Sequence, residues 1–285
     1  MTKYIFVNDL FVEDYIGGAE LTSESLIKSC KHPIVKVKSA TINEQLIDEH
    51  RDSIWIFGNF AQIKLNLLMK FVKEKINYHI VEYDFKFCKL RSPEKHILTN
   101  DKCICEEESR GKLISIFFAK AKALWFMSEK QRDEYVRRFS FLKDSQSYVL
   151  SSIFEEDLIA KLIQVDVERK EEWIILESAS WIKGTQDAIE YARKNQMSYR
   201  LVGGVSYNDM LNTLSSSKGL IFLPKGGDTC PRIVIEAHLL GCKLVLNENV
   251  LHKDEEWFTG SREDCANYLK GRSTFFWDTM DRENA

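Results

Sequence analysis

The feature that most constrains this chain is an alternation of short apolar runs with amphipathic stretches, played through twice. Residues 3–7 (KYIFV) form an apolar run, followed by a loop and by GGAELTSESLIKSC, in which Leu21, Ser25, Leu26 and Ser29 share a helical face. The rhythm continues through HPIVKVKSA, NEQLIDEH, SIWIFGN, a helical segment over residues 61–75, and NYHIVEYD. After a break at residues 85–112 it resumes as a helix, then ALWFMS, then EKQRDEYVRRF. A second series comprises EEWIILES, TQDAIEYARKN, SYRLVGG, SYNDMLNTLSSS, GLIFLP, PRIVIEAHLLG and CKLVLNE. Strands alternating with helices predict parallel sheets covered on both faces. The fold class read from the pattern is therefore α/β, in two successive units open to a reading as similar Rossmann-like domains, and a cleft between two cores is a natural ligand site.

A chain of 285 residues is long enough for two cores. The pattern places one domain at 1–150, a charged hinge at 151–171, a second domain at 172–258, and a tail at 259–285. The tail reads as one helix able to pack back on the first domain. The break at 85–112 follows a strand end, where ligand-binding loops of such sheets are expected. Apolar residues make up 44% and charged residues 29%, with a net charge of -3, which gives no electrostatic case for a nucleic-acid or membrane surface. The N-terminal sequence lacks the marks of a signal peptide, and no run approaches the ~18 apolar residues of a transmembrane helix. The expected location is cytoplasmic. The cysteine count, 7, is odd, and Cys30, Cys230, Cys242 and Cys265 are scattered, as reduced thiols are.

The stretch KGGDTCPRIVIEAHLLGCKLVL carries the most chemistry. Asp228 stands in a glycine-rich loop ahead of a helix, and Glu236 follows eight residues on. Pro231 suits the first helical position and Gly241 the helix end. Free N–H groups and the dipole at such a start favour an anion, and Gly226 and Gly227 let a ligand approach the backbone. At ~1.5 Å per residue the two acids can lie about 12 Å apart. That exceeds the roughly 5 to 9.5 Å of a hydrolase carboxylate pair, and suits two ends of an extended ligand. The competing reading is a loop acid and a solvated helix acid.

DTCPRIVIEAHLLG resembles the acid-x7-acid element of retaining glycosyltransferases of the GT-B fold, most of all glycosyltransferase family 4. IGGAE, YHIVEYD, LWFMSEKQRDEY, WIKGTQDAIEYA and YRLVGG fall in the matching order, so the resemblance covers most of residues 1–250. It implies transfer of a sugar from a nucleotide diphosphate sugar to an acceptor hydroxyl with retention, with no cofactor or metal required. The acceptor would be a glycan, a lipid-linked group or a protein. Glu236 would accept from the ribose hydroxyls, Asp228 would contact the transferred sugar, and Lys183 would neutralise the diphosphate, aided by backbone N–H groups of Gly17 and Gly18. Gly227, Thr229, Cys230 and Arg232 complete the donor set. Asp84 joins Asp228 and Lys183 as a catalytic candidate, and Tyr83, Asp84, Lys86 and Arg91 are the acceptor-side candidates.

Three departures from the family pattern stand out. The first acid is Asp228 rather than Glu, Ser178 and Ala179 occupy the place of an arginine before Lys183-Gly184, and Tyr83 replaces the His of a His-Asp pair. Lys225 or Arg232 are candidates for the missing positive charge. The departures keep a second reading open, a GT-B-like binding or scaffold protein without turnover; a sugar-nucleotide epimerase is a third. Glu82-Tyr83-Asp84 also mimics the acid-x-acid metal site of GT-A enzymes, though the rest of the sequence does not support that fold.

Within the break, CKLRSPEKHILTNDKCIC offers Cys88, His96, Cys103 and Cys105 as zinc candidates, in a spacing that matches no standard finger. Free or transiently oxidised thiols are the alternative. Lys86, Lys89, Arg91, Lys95 and His96 interleave with Phe85 and Phe87, as a solvated basic loop or a border for an anionic acceptor.

Overall fold

The computed structural model describes residues 4–284; Lys3, the expected start of the first strand, lies outside them. The chain divides into two compact units, one running to Ile153 and taking in the chain again from Arg272, the other Phe154–Gly271. Unit 1 runs β1 (Tyr4–Asn8), α1 (Gly18–Ser29), β2 (Ile34–Lys38), α2 (Glu44–Glu49), β3 (Ile54–Phe57), α3 (Leu65–Glu74), β4 (Tyr78–Glu82), α4 (Pro93–Asn100), α5 (Ser109–Ala119), β5 (Leu124–Phe126), α6 (Glu129–Arg138) and β6 (Ser147–Val149). Unit 2 runs α7 (Glu156–Gln164), β7 (Trp173–Leu176), α8 (Thr185–Lys194), β8 (Tyr199–Val202), α9 (Tyr207–Ser215), β9 (Gly219–Phe222), α10 (Arg232–Leu239), β10 (Lys243–Leu246), α11 (Glu256–Thr259) and α12 (Arg262–Lys270). Helix α13 (Arg272–Glu283) returns to unit 1.

Both sheets are wholly parallel. Unit 1 has the order β2-β1-β3-β4-β5-β6, and its inner strands β1, β3 and β4 are buried at every residue. That is why they read as continuous apolar runs rather than alternating ones. Phe57 makes edge-on contacts with Phe60, Phe71, Tyr78 and Phe117 in a fully covered aromatic core. Burying one ring of this kind contributes roughly 2–3 kcal/mol. The edge strand β2, IVKVK, is only partly buried and carries lysines, which discourage further strand pairing. Unit 2 has the order β10-β9-β7-β8, over a core that includes Trp173, Ile175, Ile189 and Ile221.

In each sheet the strand order reverses once, between β1 and β3 and between β7 and β9. Ligands of open α/β sheets bind outside the carboxyl ends of the strands at such points.

Residues 151–171, expected as a hinge, contain α7, whose Ile159 and Leu162 are buried; α7 packs on α10 and α12 within unit 2. The tail, expected as a single helix, is divided at Gly271: α12 stays with unit 2 while α13 covers unit 1. Trp277 on α13 donates its indole N–H to Leu26 O (3.0 Å), and Tyr4 meets its ring edge-on. Among the described residues, no helix is long and apolar enough to cross a membrane.

Candidate functional site

In unit 2 the residues singled out from sequence gather at the β7/β9 reversal. The loop after β7 forms a 3₁₀ turn, Trp181–Lys183, closed by Gly184 in the left-handed region (φ 63). Thr185 ties the start of α8 to the strand end: its hydroxyl donates to Leu176 O (2.8 Å) and accepts from Ser178 N (3.2 Å). Ser178, through its backbone N–H, thus helps to pin the turn that presents Lys183. Lys183 Nζ donates to Asp228 Oδ2 at 2.7 Å. Asp228 sits in the loop between β9 and α10, where its N–H donates to Asn249 O (2.8 Å) and its C=O accepts from Leu251 N (3.1 Å). The side-chain amides of Asn247 and Asn249 both donate to Pro224 O, at 2.9 and 2.8 Å, fixing the same loop at its start. The aspartate is held by backbone on one side and by a cation on the other.

Gly184 is required by two constraints at once. A Cβ there would stand 1.8 Å from Leu223 O and 2.7 Å from Leu223 C, at a φ that L side chains disfavour. We expect Gly184→Ala to lower the unfolding free energy by about 3 kcal/mol or more, because a backbone carbonyl must move. A urea melt within 0.5 kcal/mol of wild type, on the order of an ordinary surface change, would contradict that reading.

Glu236 lies on α10 and is buried at 3% exposure. Tyr207, the first residue of α9, donates its hydroxyl to Glu236 Oε1 at 2.7 Å, and Arg232 Nε stands 3.4 Å from the same oxygen. Arg232 also stacks on Phe154, 3.8 Å from the ring centroid. Burial raises the pKa of Tyr207 above the ordinary phenol value, reinforced by the charge of Glu236, so the phenol remains a donor. Pro231 precedes the first helical residue of α10, and Gly241 ends that helix at φ 78. Gly227, Thr229 and Cys230 are buried in the loop beneath. Neither candidate replacement for the missing arginine is uncommitted: Lys225 pairs with Asp187 at 3.2 Å, and Arg232 with Glu236.

In unit 1 a second polar cluster occupies the β1/β3 reversal. Asn8, at the end of β1, accepts from Asn59 N (2.7 Å) and donates to Ser23 on α1 (2.9 Å); Ser23 in turn shares a hydrogen bond of 2.7 Å with the Tyr83 hydroxyl. Tyr83 is therefore a buried link in a chain of hydrogen bonds. Asp84 pairs with Arg91, which adopts a left-handed backbone (φ 56) and lies 3.4 Å from Asp9. Lys86 is not solvated: at 3% exposure its ammonium contacts Glu82 at 3.0 Å and Asp84 at 3.4 Å. Burial pushes the Glu82 carboxyl up to about 7, with Lys86 opposing and Asp84 adding to the shift. Burial also works against ionisation of Asp84, but the Lys86 and Arg91 cations hold its carboxyl below the usual range. Gly17 precedes α1 in an extended conformation and Gly18 is its first residue. The side chains of Cys88, His96, Cys103 and Cys105 meet in the same unit, all buried.

Sequence reasoning did not single out Asn8, Ser23, Asn59 or Tyr207. Asn8 and Asp9 do carry a signal, a polar pair closing an apolar run. Ser23 and Tyr207 carry none, since their partners lie on other elements.

The paired parallel sheets, each with one order reversal, define two Rossmann-like domains of the GT-B type. Anabaena HepE in complex with UDP and glucose is similar to this chain with 11% identity over 99% of this chain and 92% of that one, at a TM-score of 0.58. UDP-GlcNAc 2-epimerase from Neisseria meningitidis bound to UDP-GlcNAc is similar with 10% identity over 99% and 100%, at 0.54. The apo structure of OtsA is similar with 10% identity over 96% and 92%, at 0.53. No protein-family model and no curated protein matches the sequence. At these identities the likeness establishes the fold.

Proposed function

We propose that this chain is a sugar-nucleotide enzyme, a glycosyltransferase of family-4 type that moves a sugar from a nucleotide diphosphate sugar to an acceptor hydroxyl with retention. The observation that carries the reading is the Lys183–Asp228 pair at the β7/β9 reversal, with Glu236 further along α10. In this reading Glu236, oriented by Tyr207, accepts from the ribose hydroxyls. Lys183 stabilises negative charge on the departing diphosphate, a preorganised electrostatic role. Asp228, released when Lys183 turns to the diphosphate, meets the transferred sugar. The start of α10 is a further diphosphate donor. Asp84 and Arg91 are the acceptor-side groups, and a guanidinium there suits an anionic glycan, lipid-linked or protein acceptor. The similar structures solved with UDP, glucose and UDP-GlcNAc favour a uridine nucleotide.

A specific observation favours the second reading, a GT-B-like binding or scaffold protein. Lys183, Lys225 and Arg232 are all engaged by carboxylates of this chain, which lowers the positive potential available to a diphosphate. Thermal melts against UDP, GDP, ADP and CMP and their sugars test both. A ligand at 100 times its dissociation constant stabilises by about 2.7 kcal/mol. We expect that shift for one nucleotide family and its loss in Glu236→Gln, which keeps the side-chain shape. Nucleotide release on adding acceptors then supports transfer, binding without release supports the scaffold, and conversion of the donor alone supports an epimerase. No shift with any nucleotide removes the proposal.

A further inference from the structure

Between β4 and α5, Phe85 and Phe87 anchor the start of the segment on Tyr135, and the part from α4 onward buries little apolar surface. Helix α4 buries only Pro93 and His96, while Ile97 and Leu98 face solvent at 44% and 72% exposure. Yet the segment is closely fitted. Ser92 caps α4 by accepting from Lys95 N (3.3 Å), and Asp101 ends it in the left-handed region (φ 62). Arg138 pairs with Glu106 at 2.7 Å, and Gly111 lets α5 approach so closely that a Cβ there would stand 1.9 Å from Cys105 O. What fills the middle of this segment is four chemically unusual side chains: three thiols and an imidazole.

Cys88 comes from the turn after β4, His96 from α4, and Cys103 and Cys105 from the stretch leading to α5. Their ligand atoms all lie within 4.8 Å of one another. His96 Nδ1 is 3.6 Å from Cys88 Sγ and 3.2 Å from Cys105 Sγ, and Cys88 Sγ is 3.8 Å from Cys103 Sγ. A tetrahedron with Zn–S of about 2.3 Å and Zn–N of about 2.0–2.1 Å has S···S edges of about 3.8 Å and S···N edges of about 3.6 Å. The observed separations are close to those of one tetrahedral ion. They are far beyond an S–S bond of about 2.05 Å, and too compact to spread across a two-iron cluster.

We propose that Cys88, His96, Cys103 and Cys105 bind a structural zinc ion as a closed Cys3His site. Three thiolates and a neutral imidazole through Nδ1 satisfy the preference of zinc for sulfur and nitrogen ligands, and with all four positions filled by protein no open coordination site remains for catalysis. Binding displaces the three thiol protons to solvent, and its free energy serves to order the segment. The consequence reaches the unit 1 polar cluster, because Arg91 lies between two of the ligands and its guanidinium meets Asp84 and Asp9. The zinc acts on Arg91 by position alone.

The test uses the full chain without a polyhistidine tag, grown with added zinc and passed over a chelating resin. Mass-spectrometric metal analysis should find about one zinc ion per chain. Wild type, Cys103→Ser, His96→Ala and the control Cys30→Ser are compared. The control should keep the metal and the two ligand variants should lose it. Because a ligand variant can fail to fold, the wild type is also stripped and titrated with cobalt chloride. Intense visible ligand-field bands of a tetrahedral ion, a thiolate-to-cobalt charge-transfer band, and bleaching of both by added zinc chloride are the expected result. A metal-free wild type silent to cobalt overturns the proposal. So does iron with labile sulfide, or a metal-free chain lighter by two hydrogens whose mass is restored by reductant.

Discussion

Lys183→Ala is expected to lower kcat/KM for sugar transfer by about 10²–10³-fold, the range for removing one preorganised donor from a developing anion. The structure adds a second component. Lys183 neutralises Asp228 at 2.7 Å, so truncating it leaves a carboxylate, only 12% exposed, facing the place proposed for the diphosphate. Like-charge repulsion then weakens donor binding as well as turnover. The two components separate in a double variant. Lys183→Ala with Asp228→Asn should recover much of the nucleotide-induced thermal shift, because the repulsion is gone, and recover little turnover, because the cation is still missing. Lys183→Arg should retain more activity than Lys183→Ala. Turnover of Lys183→Ala within a few-fold of wild type would end the assignment. Equal nucleotide affinity in the single and double variants would mean that Asp228 does not face the phosphates.

The second large effect concerns acid. His252 is fully buried between Trp257, stacked at 5.5 Å, and the edge of Phe258 at 4.6 Å, and among the described residues neither ring nitrogen has a hydrogen-bond partner. Burial pushes its imidazole down to about 3, and the neighbouring His238 adds to the shift. The folded state therefore binds fewer protons than the unfolded state between its pKa and the ordinary histidine value. Stability from this group is present above about pH 6.5 and is lost as pH falls. His79 acts in the same sense, pushed down to about 4 by burial, with Asn284 opposing and Lys122 adding. Glu82 runs the other way: its raised pKa makes its contribution fall as pH rises from the ordinary carboxylate range toward about 7. Comparing wild type with His252→Leu cancels both. The variant should gain about 3 kcal/mol on wild type between about pH 6.5 and 4, at ~1.4 kcal/mol per pH unit. Calorimetric melts across that range measure it, and a gap that stays flat would show that the imidazole protonates freely in the folded protein.

The fold was legible because its signal is local and periodic. Strands buried on both faces announce themselves as runs such as YIFV and IWIF, and the helices between them by apolar residues recurring on one face. The loop that carries Lys183 was legible for a related reason: Gly184 meets a backbone requirement, which restricts residue type at one position. The acceptor-side candidates were less so. Lys86 looked like one of several solvated cations, yet it fills a buried place opposite Glu82, four residues earlier, because the chain after β4 turns back on itself. Tyr83 reads as an acceptor-side residue, and its hydroxyl is bonded to Ser23, 60 positions earlier in the chain.

By itself the sequence determined the number of sheets, their parallel strands, the places where each chain unit leaves a strand for a loop, and the loops that carry Lys183 and Asp228. Those depend on hydrophobic period and backbone conformation, both written within about ten neighbouring residues. Only the tertiary structure decided which of the distant charges are paired: Lys183 with Asp228 and Lys225 with Asp187. It also decided that the side chains of Cys88, His96, Cys103 and Cys105, neighbours in one short stretch, turn to one buried point. Partner choice depends on where loops from different strands arrive in space, and a parallel sheet brings together strand ends that are far apart in the chain.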